Sequence, residues 1–256
     1  MSDRAIRRPG FHNTRDLGGL PIAGGGTTRY GQYFRSADLR FVMPAGWQAA
    51  LEAGVRTVLD LRNDDEAEPG SSPGATLGAG TFAVQAPATV AKLPAEMRAV
   101  RIPIDDINDV AFWQQLNEQR LNGTPLYFRP FVEAKAERIA AALTCIAQAG
   151  AGGVIFHCSA GRDRTGLVSL LLLSIAGVLP EAIAEDYELG LDQTDALYAA
   201  LGVARREPSM HDTLQQHGTT VRAAVLSVLE GLEVTRLLSA AGMRDADVAT
   251  LRARLA

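Results

Sequence analysis

The stretch Val154-Ile155-Phe156-His157-Cys158-Ser159-Ala160-Gly161-Arg162-Asp163-Arg164-Thr165-Gly166 decides the fold. It moves from a short, wholly apolar strand through a tight loop into a segment that reads as a helix over 164–176. That helix is apolar nearly all round, so it belongs inside the molecule. A cysteine and an arginine six positions apart therefore bracket a loop between a buried strand and a buried helix. In such a setting successive backbone N–H groups can point at one centre, and the helix N-terminus adds partial positive charge. The result is a cradle for a dianion such as a phosphoryl group, lined by Ser159, Ala160, Gly161, Arg162, Asp163, Arg164 and Thr165.

Arg164, at the helix start, can grip two phosphate oxygens in its planar fork. Cys158 sets a thiolate, favoured by the same field, at the bottom of the cradle as a nucleophile. Thr165 can offer a hydroxyl to the departing thiolate when water breaks a phosphocysteine. His157 orients the loop through ring hydrogen bonds, or equally stands as a buried structural histidine.

Outward from this loop, strands alternate with helices. Residues 33–35 read as a short strand, 44–53 as a helix closed by Gly54, and 55–61 as a strand. The Pro, Gly and Ser content of 68–80 marks a surface loop, and 99–104 reads as another strand. A mainly helical block follows over 107–150. Phe112, Trp113 and Leu116 suit one helix; Phe128, Phe131, Val132, Ile139, Leu143 and Ile146 suit a second, ended by Gly150. The block interrupts the rhythm of strands and reads as an insertion or lid, although core packing accounts for the stripe as well. After the central helix, Pro180 starts a further helix to about residue 189, and the rest, 180–256, is helical, with Asp245 as a cap for the last helix. The fold class is α/β, with a central, mostly parallel sheet.

Composition narrows the field. Of 256 residues, 47% are apolar and 21% charged, which suffices for a full core and excludes disorder or a collagen-like chain. Two cysteines, Cys145 and Cys158, provide no disulfide framework. A net charge of −4 argues against a general nucleic-acid binder. The charge is uneven, since residues 1–40 hold seven Arg against three Asp, an asymmetry read as solvated surface. The N-terminus lacks a signal-peptide apolar run, and the apolar stretch 167–179 is broken by Ser169, Ser174 and Gly177 and is too short for a bilayer span. A cytoplasmic protein without a membrane span is expected. His211 and His217, six apart, suit no common metal spacing, so no metal or other cofactor is called for.

The loop resembles the HCxxGxxR[ST] signature of cysteine-dependent phosphatases. More narrowly, it is similar to the bacterial tyrosine/serine phosphatases whose loop carries a basic residue and an Asp before the Arg. Asn13-Thr14-Arg15-Asp16-Leu17-Gly18-Gly19, Arg35-Ser36-Ala37-Asp38-Leu39, Leu59-Asp60-Leu61-Arg62 and Glu185-Asp186-Tyr187 follow in the order that family shows. The resemblance implies one phosphatase domain over 1–256 with a protein-tyrosine-phosphatase-like fold. It implies a metal-free phosphomonoesterase that acts on phosphotyrosine, and on phosphoserine or phosphothreonine in some members, through a phosphocysteine.

Cys158, Arg164 and Asp163 are then the catalytic set, with Asp163 as general acid or, equally, a first-turn carboxylate favoured by the helix dipole. Asp60, Asp64, Asp65, Asp105 and Asp106 are fallback acids. Arg62 with Asp64, Asp65 and Glu66 reads as a solvated charge run. Arg162 stands where many relatives carry Lys, and a guanidinium differs from an ammonium in reach and donors. The partner expected is a phosphorylated protein or a phosphoinositide. A phosphoinositide or dual-specificity phosphatase is the rival enzyme, and a non-catalytic phosphate-binding module would not need Cys158. A thiol oxidoreductase lacks its CxxC.

Overall fold

In a computed structural model, residues 4, 10–67, 92–201 and 207–256 are described. Among these residues, five strands form one sheet: β1 (Arg15–Asp16), β2 (Tyr33–Ser36), β3 (Val55–Asp60), β4 (Arg98–Arg101) and β5 (Gly153–His157), in the spatial order β1-β2-β5-β3-β4. All pairs are parallel except β1 with β2. The mostly parallel sheet expected from the alternation of strands and helices is therefore present. β1 escaped the sequence reading because two residues cannot show an alternating pattern.

Every residue of β5 is buried, as its uninterrupted apolar run requires for a central strand. Its register aligns Ser36, His157 and Asp60 side by side at the carboxyl ends of β2, β5 and β3. Open parallel sheets present ligand sites at this end. Side chains alternate across the sheet. Val154 and Phe156 enter the larger core, whereas Ile155 joins Phe34, Val58 and Trp47 under helix α1 (Pro44–Glu52) on the opposite face.

The helices are α2 (Asp64–Ala67), α3 (Val110–Glu118), α4 (Phe128–Ala134), α5 (Ala136–Ala147), α6 (Asp163–Ile175), α7 (Pro180–Asp192), α8 (Asp195–Leu201), α9 (Glu207–Gln216), α10 (Val221–Leu229), α11 (Val234–Ala240) and α12 (Asp245–Leu255). α6 is buried along almost its whole length, as its all-round apolar character demands. Gly54 and Gly177, at φ +88° and +77°, close α1 and α6 in the left-handed conformation that a glycine C-cap adopts.

Three expectations need correction. The stripe from Phe128 to Ile146 lies on two helices, because Lys135 leaves the helical conformation and anchors its ammonium on Asp109 at 2.5 Å and Asp106 at 3.3 Å. The apolar spacing continues across this break, so periodicity could not reveal it. All six stripe residues are buried in the main core. Asp245 does not cap the last helix: Arg244 is the cap residue, and Asp245 starts the helix and accepts from Ser239 Oγ at 2.9 Å. The strand expected over 99–104 runs instead from Arg98 to Arg101 and ends before Pro103. The loop expected over 68–80 lies outside the described residues. No described helix is long and apolar enough to cross a membrane.

Candidate active site

Residues 158–162 join β5 to α6 at the carboxyl end of the sheet, and the loop is held almost entirely by groups behind it. The Ser159 carbonyl accepts from the Asp38 amide at 2.9 Å. Asn13 Nδ2 donates to the carbonyls of Ala160 and Gly161 at 3.1 and 3.2 Å, and Arg35 Nη2 donates to Gly161 at 2.8 Å. Among the described residues, the amides of Ser159, Ala160 and Gly161 donate to no protein acceptor. Carbonyls engaged from outside and unengaged amides are what an anion cradle requires.

Gly161 is indispensable to this path. Its φ is +67°, and a Cβ there would lie 2.6 Å from Ala37 N and Ser36 O. His157 is buried, which lowers its pKa and keeps the ring neutral, so Nδ1–H donates to the Cys158 carbonyl at 3.1 Å. Cys158 itself is 2% exposed at the loop's base.

Arg164 reaches from the first turn of α6 into a pair of carboxylates. Nη1 and Nη2 meet Glu66 Oε2 and Oε1 at 2.5 and 2.7 Å, while Asp105 Oδ2 stands 3.4 Å from Nη1. Glu66 also accepts from Ser159 Oγ at 3.0 Å. Burial alone would raise the Glu66 carboxyl, but the Arg164 fork outweighs it and holds it below the usual carboxylate range. Asp105 has no such fork. Burial, reinforced by the charges of Glu66 and Asp163, pushes its pKa up to about 6 against the pull of Arg164.

Behind the loop, Asp186 of α7 is enclosed by arginines distant in sequence. Arg15 Nε, Arg35 Nη1 and Arg4 Nη2 lie 2.9, 2.8 and 3.0 Å from its oxygens. Burial would raise this carboxyl, yet Arg15, Arg35 and Arg4 hold it well below the usual range. Arg15 is itself lowered to about 10 by burial and the repulsion of Arg35. Through Arg35 the cluster bears directly on the Gly161 carbonyl.

The tyrosine phosphatase family model matches residues 6–256. The chain belongs to the tyrosine phosphatase family. A protein of Cupriavidus necator, provisionally named a tyrosine-protein phosphatase, is 30% identical over 92% of this chain and 76% of its own length. A tyrosine-protein phosphatase of Nostoc commune is 27% identical over 87% of this chain and 74% of its own. The triple specificity protein phosphatase PtpB of Mycobacterium tuberculosis is 29% identical over 77% and 73%. This phosphatase is thus a hydrolase whose substrates are phosphorylated, and phosphotyrosine is the group its family names.

The motifs that carried the family resemblance converge on the phosphatase loop. Asn13 and Arg35 hold it from behind, Arg15 orients Asn13 at 2.9 Å, and Asp38 braces it through its amide. Asp38 also accepts from Arg40 at 2.6 Å and from Arg62 at 2.7 Å, and Arg62 forks onto Asp60 at 2.9 and 2.8 Å. Arg162 turns back onto Asp163, with contacts of 3.1 and 3.2 Å from Nε and 3.1 Å from Nη2, and reaches the Gly123 carbonyl at 3.3 Å. Thr165 Oγ1 lies 3.4 Å from the Ser36 carbonyl.

The supposed charge run divides: Asp64 and Asp65 are exposed, but Arg62 and Glu66 are buried parts of the site. A short run of mixed charge reads alike whether buried or solvated. Arg164, the partner of Glu66, lies 98 residues away, and Arg62 adds the distant Asp38 to its neighbour Asp60, so no local signal marked Glu66.

Proposed function

We propose that the chain hydrolyses phosphotyrosine through a phosphocysteine intermediate. The Cys158 thiolate attacks phosphorus in line, forming the S–P bond as the bond to the leaving oxygen breaks. The amides of Ser159, Ala160 and Gly161, with Arg162, Asp163 and Thr165, make up the phosphate loop, and Arg164 neutralises the charge on the transferring group. Water then attacks the phosphocysteine and releases Cys158. The observation that carries this reading is the loop's hydrogen bonding: its carbonyls are occupied from outside while its amides engage no protein acceptor.

The name of the triple specificity relative favours a second reading, in which phosphoserine and phosphothreonine are also accepted. A phosphorylated protein is accordingly the substrate class we infer, with phosphoinositides as the rival class. A thiol nucleophile suits the reducing cytoplasm, where we place the enzyme.

The test is Cys158→Ser assayed on phosphotyrosine, phosphoserine and phosphoinositide substrates beside the wild type. Turnover should vanish while vanadate still binds, because the cradle is mostly backbone and Arg164. Substantial turnover by a pure Cys158→Ser sample would overturn the covalent route.

A further inference from the structure

Like charges directly opposite one another on paired strands are destabilising, yet β1 and β2 set Arg15 opposite Arg35. Both are buried, and with Arg4 they are three of the seven arginines that make the first 40 residues basic. That excess, expected on a solvated surface, therefore lies partly inside the protein. The two guanidiniums are reconciled by Asp186, which α7 brings to them across 171 and 151 residues.

Each arginine has a second partner, and both second partners lead to the phosphate loop. Arg35 Nη1 donates to Asp186 Oδ2 at 2.8 Å, while its Nη2 donates to the Gly161 carbonyl at 2.8 Å. Arg15 Nε donates to Asp186 Oδ1 at 2.9 Å, while its Nη1 donates to Asn13 Oδ1 at 2.9 Å. That bond fixes which end of the Asn13 amide faces the loop, where Nδ2 donates to the Ala160 and Gly161 carbonyls at 3.1 and 3.2 Å. Asn13 sits at φ +48°, a left-handed conformation that asparagine tolerates better than most side chains. One carboxylate thus aims two arms at the same short stretch of backbone.

Two helical glycines fit this arrangement. Gly190 lies one turn beyond Asp186 on the same face of α7. A Cβ there would stand 3.2 Å from Arg15 Nη2, 3.3 Å from Arg35 Nη2 and 3.5 Å from Asn13 Oδ1. Gly166 of α6 leaves room for Tyr187, whose ring would be 2.8 Å from a Cβ at that position. Glycine is a poor residue for a helix interior; here its bareness lets α7 close on both guanidiniums.

We propose that Asp186 is a positioning residue for the phosphate loop, directing its amides from behind by aiming Arg35, and Asn13 through Arg15, at its carbonyls. The proposal rests on the reading of this loop as a phosphate cradle. Peptide planarity is the link, because a carbonyl and the following N–H share one rigid plane and point in opposite directions. Holding the Ala160 carbonyl at the rear turns the Gly161 amide forward, and holding the Gly161 carbonyl does the same for the amide of Arg162.

The experiment compares wild type with Asp186→Asn, Asn13→Gly and Gly190→Ala. Its readouts are vanadate affinity, the ¹³C shifts of the Ala160 and Gly161 carbonyls in the free protein, and thermal melts. Asp186→Asn turns one acceptor into a donor and releases one arm. Asn13→Gly accepts the left-handed backbone and removes only the second arm. Gly190→Ala removes nothing, improves helix propensity, and sets a methyl group against both guanidiniums. Both carbonyl shifts should move in Asn13→Gly and Gly190→Ala, and vanadate affinity should fall roughly tenfold, the scale of one lost hydrogen bond. Asp186→Asn should lose more.

A residue that served the fold alone would change the melts and leave the carbonyl shifts and vanadate affinity of folded samples as they were. Wild-type shifts or wild-type vanadate affinity in folded Asn13→Gly and Gly190→Ala would overturn the assignment, and these two variants decide it alone if Asp186→Asn does not fold. Wild-type protein that bound no vanadate would instead defeat the cradle reading, with the carbonyl shifts still judging what Asp186 holds.

Discussion

Arg164 and Glu66 meet fork to fork, with both carboxylate oxygens engaged at 2.5 and 2.7 Å in the interior of the protein. The pair fixes the guanidinium plane before any phosphate arrives, and Ser159 Oγ ties the same carboxylate to the loop. With Arg164 in the phosphate-binding role proposed above, Glu66 would act on phosphate as a positioning residue, through Arg164.

Glu66→Gln should lower kcat by about 10²-fold, the scale of a ~1 Å displacement of a catalytic group. Vanadate affinity should fall with it, because Arg164 loses its orientation in the free enzyme as well. Removing one charge of a buried pair costs roughly 3–5 kcal/mol, so denaturant melts should move in the same direction. Wild-type kcat and vanadate affinity in a folded Glu66→Gln sample would remove the positioning role.

Asp186 carries a different burden, because Arg4, Arg15 and Arg35 all face its single carboxylate. Asp186→Asn leaves buried guanidinium charge uncompensated, and the expected loss of stability at neutral pH is about 3–5 kcal/mol. Its folded pKa lies below the unfolded value of ~3.9, so this stability is fully present above about pH 4 and is lost as pH falls further. Urea melts from pH 3 to pH 7 should show the variant's deficit shrinking toward the acid end. A deficit constant with pH would mean that the carboxylate charge is not what stabilises the cluster.

The part of this architecture legible in the sequence is the part set by local residue type. Three apolar residues, Val154 to Phe156, ahead of His157-Cys158 and a mostly apolar helix after the loop specify a buried strand, loop and helix, and these are present as β5 and α6. Contacts between distant segments were not legible. Asp186 meets Arg15 and Arg35 across 171 and 151 residues, and Glu66 meets Arg164 across 98. The charges of 62–66 divide between core and solvent according to those partners. Likewise Asp60, Asp64, Asp65, Asp105 and Asp106 are equivalent as letters, and only burial and the reach of Arg62, Lys135, Arg138 and Arg164 distinguish them.

Gly161 tests the loop's backbone rather than its chemistry. At φ +67°, with Ala37 N and Ser36 O 2.6 Å from any Cβ, alanine must push the loop away from β2. Gly161→Ala should lose the Arg35 and Asn13 bonds to this carbonyl, and with them vanadate binding and turnover together. Strained backbone of this kind costs roughly 1–3 kcal/mol, so thermal melts should still show a folded protein. Retained vanadate affinity would show that the loop can reach its working shape by another path.

Asp105 offers a last test that does not depend on turnover. A carboxyl whose folded pKa, about 6, exceeds its unfolded value of ~3.9 binds its proton more tightly in the native state. The stability this contributes is fully present below about pH 4 and is lost as pH rises through 6, because the native state must then ionise a buried group beside Glu66 and Asp163. Asparagine keeps the shape and has no proton to lose. Asp105→Asn should therefore match the wild type near pH 4 and exceed it at pH 8 by up to about 3 kcal/mol, the two-unit difference converted at ~1.36 kcal/mol per unit. Urea melts of both proteins at half-unit intervals from pH 4 to pH 8 measure it. Parallel curves would show that Asp105 ionises as readily in the folded chain as in the unfolded one.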